Sequence, residues 1–179
     1  MTEHDAKSGH PLPFLKNGID QVAILVKDLE EAVENYWNMF GIGPWHFYTY
    51  AKPFVREMSY SGHPADYKMR LALSQLGSMR IELIEVKEGD SIYADFIKEH
   101  GYGVHHLGIL VEDMREALTQ AGSAGLDMIQ DGSGFGLDGD GHYAYLDTEL
   151  QFGVTFELIC RPKVRVSPEK IFPPDTGRQ

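Results

Sequence analysis

Two stretches of the sequence decide the fold, because one is a copy of the other. Gln21-Val-Ala-Ile-Leu-Val-Lys-Asp-Leu-Glu-Glu-Ala32 aligns without gaps on His106-Leu-Gly-Ile-Leu-Val-Glu-Asp-Met-Arg-Glu-Ala117. In each copy an apolar run rich in β-branched residues predicts a strand, and the helical pattern after it predicts a helix. The repeat therefore predicts two modules that begin in the same way.

Each predicted helix has a start and a stop signal. Asp28 and Asp113 can each cap a helix N-terminus, and a glutamate follows three residues later, as in a capping box. The first helix is expected to run to about Phe40 and the second to end near 122–125, where glycines follow.

The two copies also end alike. Arg80-Ile-Glu-Leu-Ile-Glu85 matches Thr155-Phe-Glu-Leu-Ile-Cys160, so a strand with Glu-Leu-Ile in the same phase closes each module. Between helix and closing strand, each copy has room for two more strands. These are predicted at 45–50 and 68–75 in the first copy, and at 127–130 and 143–147 in the second.

The expected fold is α+β, with two tandem βαβββ modules. A chain of 179 residues suits two small modules that share a core. We predict an N-terminal tail at 1–17, the first module at 18–87, a helical linker at 88–103, the second module at 104–161 and a C-terminal tail at 162–179.

The net charge and the cysteine content limit the classes of partner and the cellular location that we expect. The net charge of -11 disfavours nucleic acid and anionic membranes, which would repel the protein at long range. No stretch resembles a signal peptide or is long enough to span a bilayer. The single cysteine, Cys160, cannot form an internal disulfide. We expect a cytoplasmic protein that acts on a small molecule.

The repeat itself predicts a metal site. The alignment of the two copies makes Gln21 equivalent to His106, and Glu82 equivalent to Glu157, so that each pair occupies the same point of equivalent strands. All four lie among apolar neighbours, where an unpaired polar group costs about 1–3 kcal/mol. A divalent ion would compensate them. Taken singly, the glutamates could face solvent and His106 could be a hydrogen-bonded core residue, but the paired placement favours a metal. His105 is predicted to point to the opposite face of the strand, which makes it the weaker ligand candidate.

These motifs, from Ile19-Asp-Gln-Val-Ala to the two Glu-Leu-Ile strands, resemble the vicinal oxygen chelate superfamily. Within it the chain is most similar to the glyoxalase I and methylmalonyl-CoA epimerase branch. The resemblance covers about residues 18–161 and implies a U-shaped cleft, the glyoxalase/bleomycin resistance/dioxygenase fold, and a homodimer. Residue by residue, it places the four metal ligands at Gln21, Glu82, His106 and Glu157. Epimerases usually carry His at the first position, whereas eukaryotic-type glyoxalase I resembles this chain in using Gln.

The resemblance also implies a reaction. A divalent ion (zinc, cobalt, nickel, manganese or magnesium, with iron less favoured) would stabilise the enolate formed when a carbon beside a carbonyl loses its proton. The chain would then be an epimerase or isomerase, or a glyoxalase-type lyase. Where the epimerases carry their dedicated base, this chain has Arg70. Glu157 is therefore the first candidate base and Glu82 the second, as in glyoxalase I.

Two alternatives remain open. Extradiol ring-cleaving dioxygenases share the fold, but their iron sites resemble a triad of two histidines and one carboxylate. In this chain Gln21 stands at the first of those ligand positions, where a histidine would be expected. Metal-free binding proteins of the resistance type also share the fold, but they need no metal-ligating residues, whereas this chain has four candidates.

Aromatic and basic residues suggest the substrate. Trp45, Phe47 and Tyr60 belong to the densest aromatic stretch and are candidates for binding a hydrophobic or ring-containing molecule. Arg70 could bind a carboxylate or oxyanion, and the local basic charge would tolerate an acyl-CoA. The long connection at 51–66 is predicted to cover the cleft as a lid.

Overall fold

The structure, a computed structural model, describes residues 12–174. After a 3-10 helix at Pro13–Asn17, the first half contains one long helix and six strands: β1 (Gln21–Leu25), α1 (Leu29–Phe40), β2 (Trp45–Tyr50), β3 (Glu57–Tyr60), β4 (His63–Pro64), β5 (Lys68–Leu76) and β6 (Met79–Glu88). The second half follows helix α2 (Ile92–His100) and comprises β7 (Gly103–Leu110), α3 (Met114–Ser123), β8 (Met128–Phe135), β9 (Gly141–Leu146), α4 (Glu149–Phe152), β10 (Thr155–Cys160) and β11 (Lys170–Phe172).

All eleven strands of residues 12–174 form one mixed sheet in the order β11-β2-β5-β6-β1-β7-β10-β9-β8-β3-β4. The first strands of the two halves, β1 and β7, are antiparallel neighbours at its centre. Each is flanked by the parallel closing strand of its own half, β6 or β10. This curled α+β sheet confirms the predicted fold class.

The helix signals work as predicted. The Asp28 carboxylate accepts a hydrogen bond from the Glu31 N–H at 2.9 Å, and Asp113 accepts one from Glu116 at 3.0 Å. α1 ends at Gly41, whose φ of 67° is left-handed. The local sequence therefore sets where these helices begin and end.

Three apolar clusters surround the sheet. One fills its concave face and is rich in tyrosine, including Tyr48, Tyr67, Tyr93 and Tyr145. The other two lie on the convex face, beneath α1 and beneath α3. The concave face is therefore largely filled with side chains.

The connection at 51–66 is a strap rather than a free lid. Its strand β3 pairs with β8 of the second half, and the Arg56 N–H donates to the Ser133 carbonyl at 2.9 Å. Val55 is fully buried in the concave cluster. Because main-chain hydrogen bonds and a buried side chain hold the strap, it ties the two halves together.

The predicted tails lie partly outside the described residues, at 1–11 and 175–179. Within the described part of the C-terminal tail, β11 pairs with β2 at one edge of the sheet. Glu169, just before it, accepts a hydrogen bond from the Thr49 N–H at 2.8 Å. Among the helices of residues 12–174, none is long and apolar enough to cross a membrane.

Candidate metal centre

The sheet order brings the four predicted ligand positions together. Gln21, Glu82, His106 and Glu157 lie on β1, β6, β7 and β10, which are the four central strands. In the ladders, Ala23 pairs with both Glu82 and His106, and the equivalent residue of the other copy, Gly108, pairs with both Gln21 and Glu157. Since paired residues share a face, all four side chains project into the concave side.

These side chains form one buried cluster. The exposed fractions are 2% for Gln21, 7% for Glu82, 0% for His106 and 4% for Glu157. Gln21 Nε2 donates to Glu82 Oε2 at 2.9 Å and to Glu157 Oε2 at 3.1 Å. His106 Nε2 lies 3.4 Å from Glu82 Oε2 and 3.1 Å from Glu157 Oε2.

The His106 Nε2 atom is the feature that fits a metal. Two carboxylate oxygens lie near this fully buried nitrogen, but neither is placed to form a hydrogen bond with it, so it has no hydrogen-bond partner among the described residues. One ligand atom from each of Glu82, His106 and Glu157 lies within 4.8 Å of the others. Ligands about 2.0–2.2 Å from an ion lie about 3.0–3.6 Å apart. Three residues therefore make a candidate site for one divalent ion.

The electrostatics of His106 reflect the same carboxylates. Burial alone would lower its pKa, but Glu157 and Glu82 outweigh burial and raise the pKa to about 9. Without metal, His106 is thus a cation at neutral pH and partly neutralises the glutamates. A metal ion would have to displace its Nε2 proton.

Gln21 is not turned toward a metal. Its Oε1, the atom that binds metal ions, accepts a hydrogen bond from Arg80 Nε at 2.7 Å. Its amide nitrogen faces the carboxylates instead. Ligation by Gln21 would require the amide to rotate and the bond with Arg80 to break.

His105 corrects the expectation that it points away from His106. Ala23 pairs with His106 while the next residue, Ile24, pairs with Val104, so His105 is the extra residue of a β-bulge. The bulge turns both imidazoles to the buried side, with their Nδ1 atoms 2.9 Å apart. Burial and the charge on His106 lower the pKa of His105 to about 2. With His105 neutral, its Nδ1 can accept the Nδ1 proton of His106 and orient that ring.

Small residues make room for the centre. A Cβ on Gly108 would lie 2.7 Å from Ile159 Cδ1, 2.9 Å from Gln21 Cβ and 3.2 Å from Glu157 Oε2. These separations are shorter than ordinary contacts, so any larger residue would displace a ligand or a neighbouring strand.

The centre opens to solvent through a small mouth. A cavity of about 30 Å³ reaches Gln21, Glu82 and Glu157. Three arginines line it as well: Arg80, Arg161 and Arg165. The sequence prediction overlooked Arg161 and Arg165. For Arg161 a signal was present, because its spacing of four from Glu157 along an extended chain gives the same face.

The structure does not bring the predicted substrate-binding residues to this mouth. Trp45 and Phe47 are buried beneath α1, because α1 covers that face of β2. Tyr60 lies on the strap, where its hydroxyl donates to Asp95. Arg70 forms a two-bond pair with Glu30 of α1, at 3.0 and 2.7 Å. The opposite face of β2 approaches instead: His46 and Tyr48 line a cavity of about 290 Å³ that shares Arg80 and Arg165 with the mouth.

Strand β5 offers no base to the centre. Its concave face carries Met69, Leu71 and Leu73, which belong to the apolar cluster. Arg70 projects from the other face toward α1. Carboxylates near the candidate ion therefore come from β6 and β10.

Comparison with known proteins identifies the family. The sequence profile of the Glyoxalase/Bleomycin resistance protein/Dioxygenase superfamily matches residues 20–145. The chain belongs to this superfamily. The match confirms the resemblance inferred from the repeat and its motifs.

Individual relatives in the superfamily are distant. An uncharacterized protein of Bacillus subtilis (strain 168), YqjC, is 29% identical over 147 residues, covering 82% of this chain and 94% of the relative. Methylmalonyl-CoA epimerase from Mycobacterium tuberculosis is 22% identical with a TM-score of 0.61, over 82% of this chain and 89% of that one. The Streptomyces coelicolor epimerase, solved with 2-nitronate-propionyl-CoA, is 20% identical with a TM-score of 0.61, over 83% and 96%. At these identities the two structures establish the shared fold.

Proposed function

We propose that this protein is a divalent-metal-dependent epimerase or isomerase, or a related lyase, that moves a proton at a carbon beside a carbonyl. The observation that carries the proposal is the buried His106 Nε2, which has no hydrogen-bond partner among the described residues and faces two carboxylate oxygens. We assign the ion to Glu82, His106 and Glu157, with Gln21 as a fourth ligand after its amide rotates. When bound, such an ion supplies a Lewis acid that stabilises negative charge on a carbonyl oxygen.

The surrounding residues position this chemistry. His105 holds the His106 ring through the Nδ1 contact. Tyr145 packs its ring against His106, and Tyr143 lines the mouth beside Glu157, so both limit the water that reaches the centre. The reacting carbon must therefore approach through the mouth.

Glu157 is our candidate for the residue that takes the proton and returns it. Its carboxylate lines the mouth, and neither face of β5 supplies another base to the centre. Glu82 is the second candidate because it occupies the equivalent position. In an isomerisation, Glu157 can return the proton to the neighbouring carbon, whereas an epimerisation needs a proton delivered from the opposite side of the same carbon, for which a protonated Glu82 is the remaining candidate.

One observation favours a second candidate, a metal-free binding protein. Gln21 Nε2 and protonated His106 already compensate both glutamates, and Arg80 holds the amide in that orientation. A centre balanced in this way could bind a ligand at its mouth without an ion.

Metal analysis and solvent exchange separate the two. Purified protein, stripped with a chelator and titrated with zinc, cobalt, nickel, manganese or magnesium, should bind one ion per chain. In D₂O the loaded protein should exchange the acidic proton of a test substrate, beginning with methylmalonyl-CoA, the ligand named for a structurally similar epimerase. Glu157→Gln should lose exchange, whereas the exposed Glu34→Gln should not. Failure of wild-type protein to bind any of these ions would contradict the proposal and favour the binding protein.

The assembly and location stay predictions. The one cysteine, Cys160, is free and half-buried, which suits a reducing compartment such as the cytoplasm. A homodimer would be recognised by its mass in sedimentation equilibrium.

A further inference from the structure

Three arginines from separate parts of the chain converge where the centre meets solvent. Arg80 lies on β6 beside Gln21, Arg161 directly follows β10, and Arg165 lies in the segment before β11. All three line the mouth, whose only carboxylates among the described residues are Glu82 and Glu157. This basic mouth stands out in a chain of net charge -11.

Within the part of the chain that the structure describes, the three guanidinium groups lack acidic partners. Among residues 12–174, none of them lies within 4.0 Å of a carboxylate oxygen, whereas Arg70 and Lys68 pair with Glu30 and Glu88. Arg80 is half-buried, and the positive charges of Arg161 and Arg165 act on it from the same mouth. The charge of Arg165 likewise acts on Arg161, with a smaller opposing effect of Asp20. The arginines therefore repel one another.

Charge balance at the mouth leaves room for an anion. Three guanidinium groups exceed the two carboxylates by one positive charge, and a divalent ion at the centre would add two more. A guanidinium presents paired N–H donors that match the oxygens of a carboxylate or phosphate. An oxyanion would relieve the repulsion between the arginines and accept hydrogen bonds from their N–H groups.

The space beside the mouth accommodates the rest of a molecule. The 30 Å³ mouth has room for a group of only a few atoms, close to the size of a water site. The adjoining 290 Å³ cavity, with His46 and Tyr48 in its wall, shares Arg80 and Arg165 with the mouth. A ligand can thus place its charged group among the arginines and extend along the outer part of β2.

We propose that Arg80, Arg161 and Arg165 form an oxyanion-binding subsite that holds a carboxylate or phosphate of the substrate beside Glu82 and Glu157. The assignment of this anion to a substrate rests on the proposed function, but anion binding itself does not require a metal. The substrate class is accordingly a small anionic carbonyl compound.

Binding of malonate and inorganic phosphate to metal-free protein tests the subsite. Isothermal titration calorimetry at low salt should give measurable binding of at least one of them, and the tighter one identifies a carboxylate or a phosphate ligand. Arg161→Gln and Arg165→Gln should each raise the dissociation constant about 10-fold or more, as expected for loss of a charged hydrogen bond. Arg165→Lys should recover part of the loss.

Lys163→Gln is the matched control, because Lys163 is exposed in the same segment and does not line the mouth. It should leave the dissociation constant unchanged. Absence of binding, or an equal loss in Lys163→Gln, would overturn the subsite. Because these titrations use metal-free protein, they succeed or fail independently of metal uptake and proton exchange.

Discussion

The two ends of the cleft are related by the internal repeat but differ in their side chains. At one end, Arg80 lies beside Gln21 in the ladder; at the other, the equivalent Thr155 lies beside His106. Continuing the alignment, Arg161 corresponds to Val86, which packs against the apolar cluster. One end is therefore basic and open, and the other is apolar.

The difference extends to the residues that hold the equivalent side chains of Gln21 and His106. At the apolar end, α2 packs Tyr93 and Phe96 against His105, which in turn contacts His106. At the basic end, Arg80 holds Gln21 with its oxygen turned from the centre. One end of the cleft therefore provides a rigid ligand, and the other end provides access and charge.

The largest effect should separate the two equivalent donors. His106→Ala should weaken metal binding by at least about 100-fold, because it removes a metal ligand together with the contact from His105 that orients it. Gln21→Ala should cost less than about 10-fold, since the amide oxygen must first leave Arg80. Equilibrium dialysis with zinc measures both. Equal losses would mean that the two halves contribute alike.

The next effect concerns the small residue under the centre. Gly108→Ala should lower the free energy of unfolding by about 1–3 kcal/mol, because the added Cβ overlaps Ile159 and Gln21. Gly122 of α3 is the control: nothing lies within 4 Å of an added Cβ, so Gly122→Ala should stabilise by about 0.5–1 kcal/mol. Urea denaturation measures both changes. Tolerance of Gly108→Ala would mean that the central strands can separate.

A third effect tests the support at the apolar end. His105→Phe keeps an aromatic ring against Tyr93 and Phe96 but leaves the His106 Nδ1–H without an acceptor. Metal affinity should fall by about 10- to 100-fold. In the other half the equivalent residue is Asp20, and Asp20→Asn should not change metal affinity. The same dialysis measurement applies, and an unaffected His105 variant would remove His105 from the support.

The smallest effect has the opposite sign. Arg80→Thr installs the residue of the other end, frees Gln21 Oε1 and removes a positive charge near the ion. Metal affinity should rise by about 2- to 10-fold, while malonate binding should weaken. Thr155→Ser serves as the control. A decrease in metal affinity would show that Arg80 supports the centre rather than competing with it.

Much of the fold was predictable because local signals and the repeat agree. Asp28, Asp113 and Gly41 lie at helix ends as their chemistry requires. The strap was misread as a lid, because pairing between β3 and β8 joins residues about 70 positions apart and leaves no local pattern. The sequence also left undecided which face of β2 packs against a helix. Alternation separates Trp45 and Phe47 from His46 and Tyr48, but it does not say which set is covered.

The sequence by itself determined the repeat, the α+β class and the four polar positions on equivalent strands, because strand periodicity and capping act over a few residues. Only the tertiary structure decided what surrounds those positions. The bulge that turns His105 inward, the hold of Arg80 on Gln21 and the meeting of Arg80 with Arg161 and Arg165 all depend on strand order and register. Contacts of that kind join distant parts of the chain, so they arise only when the whole sheet has formed.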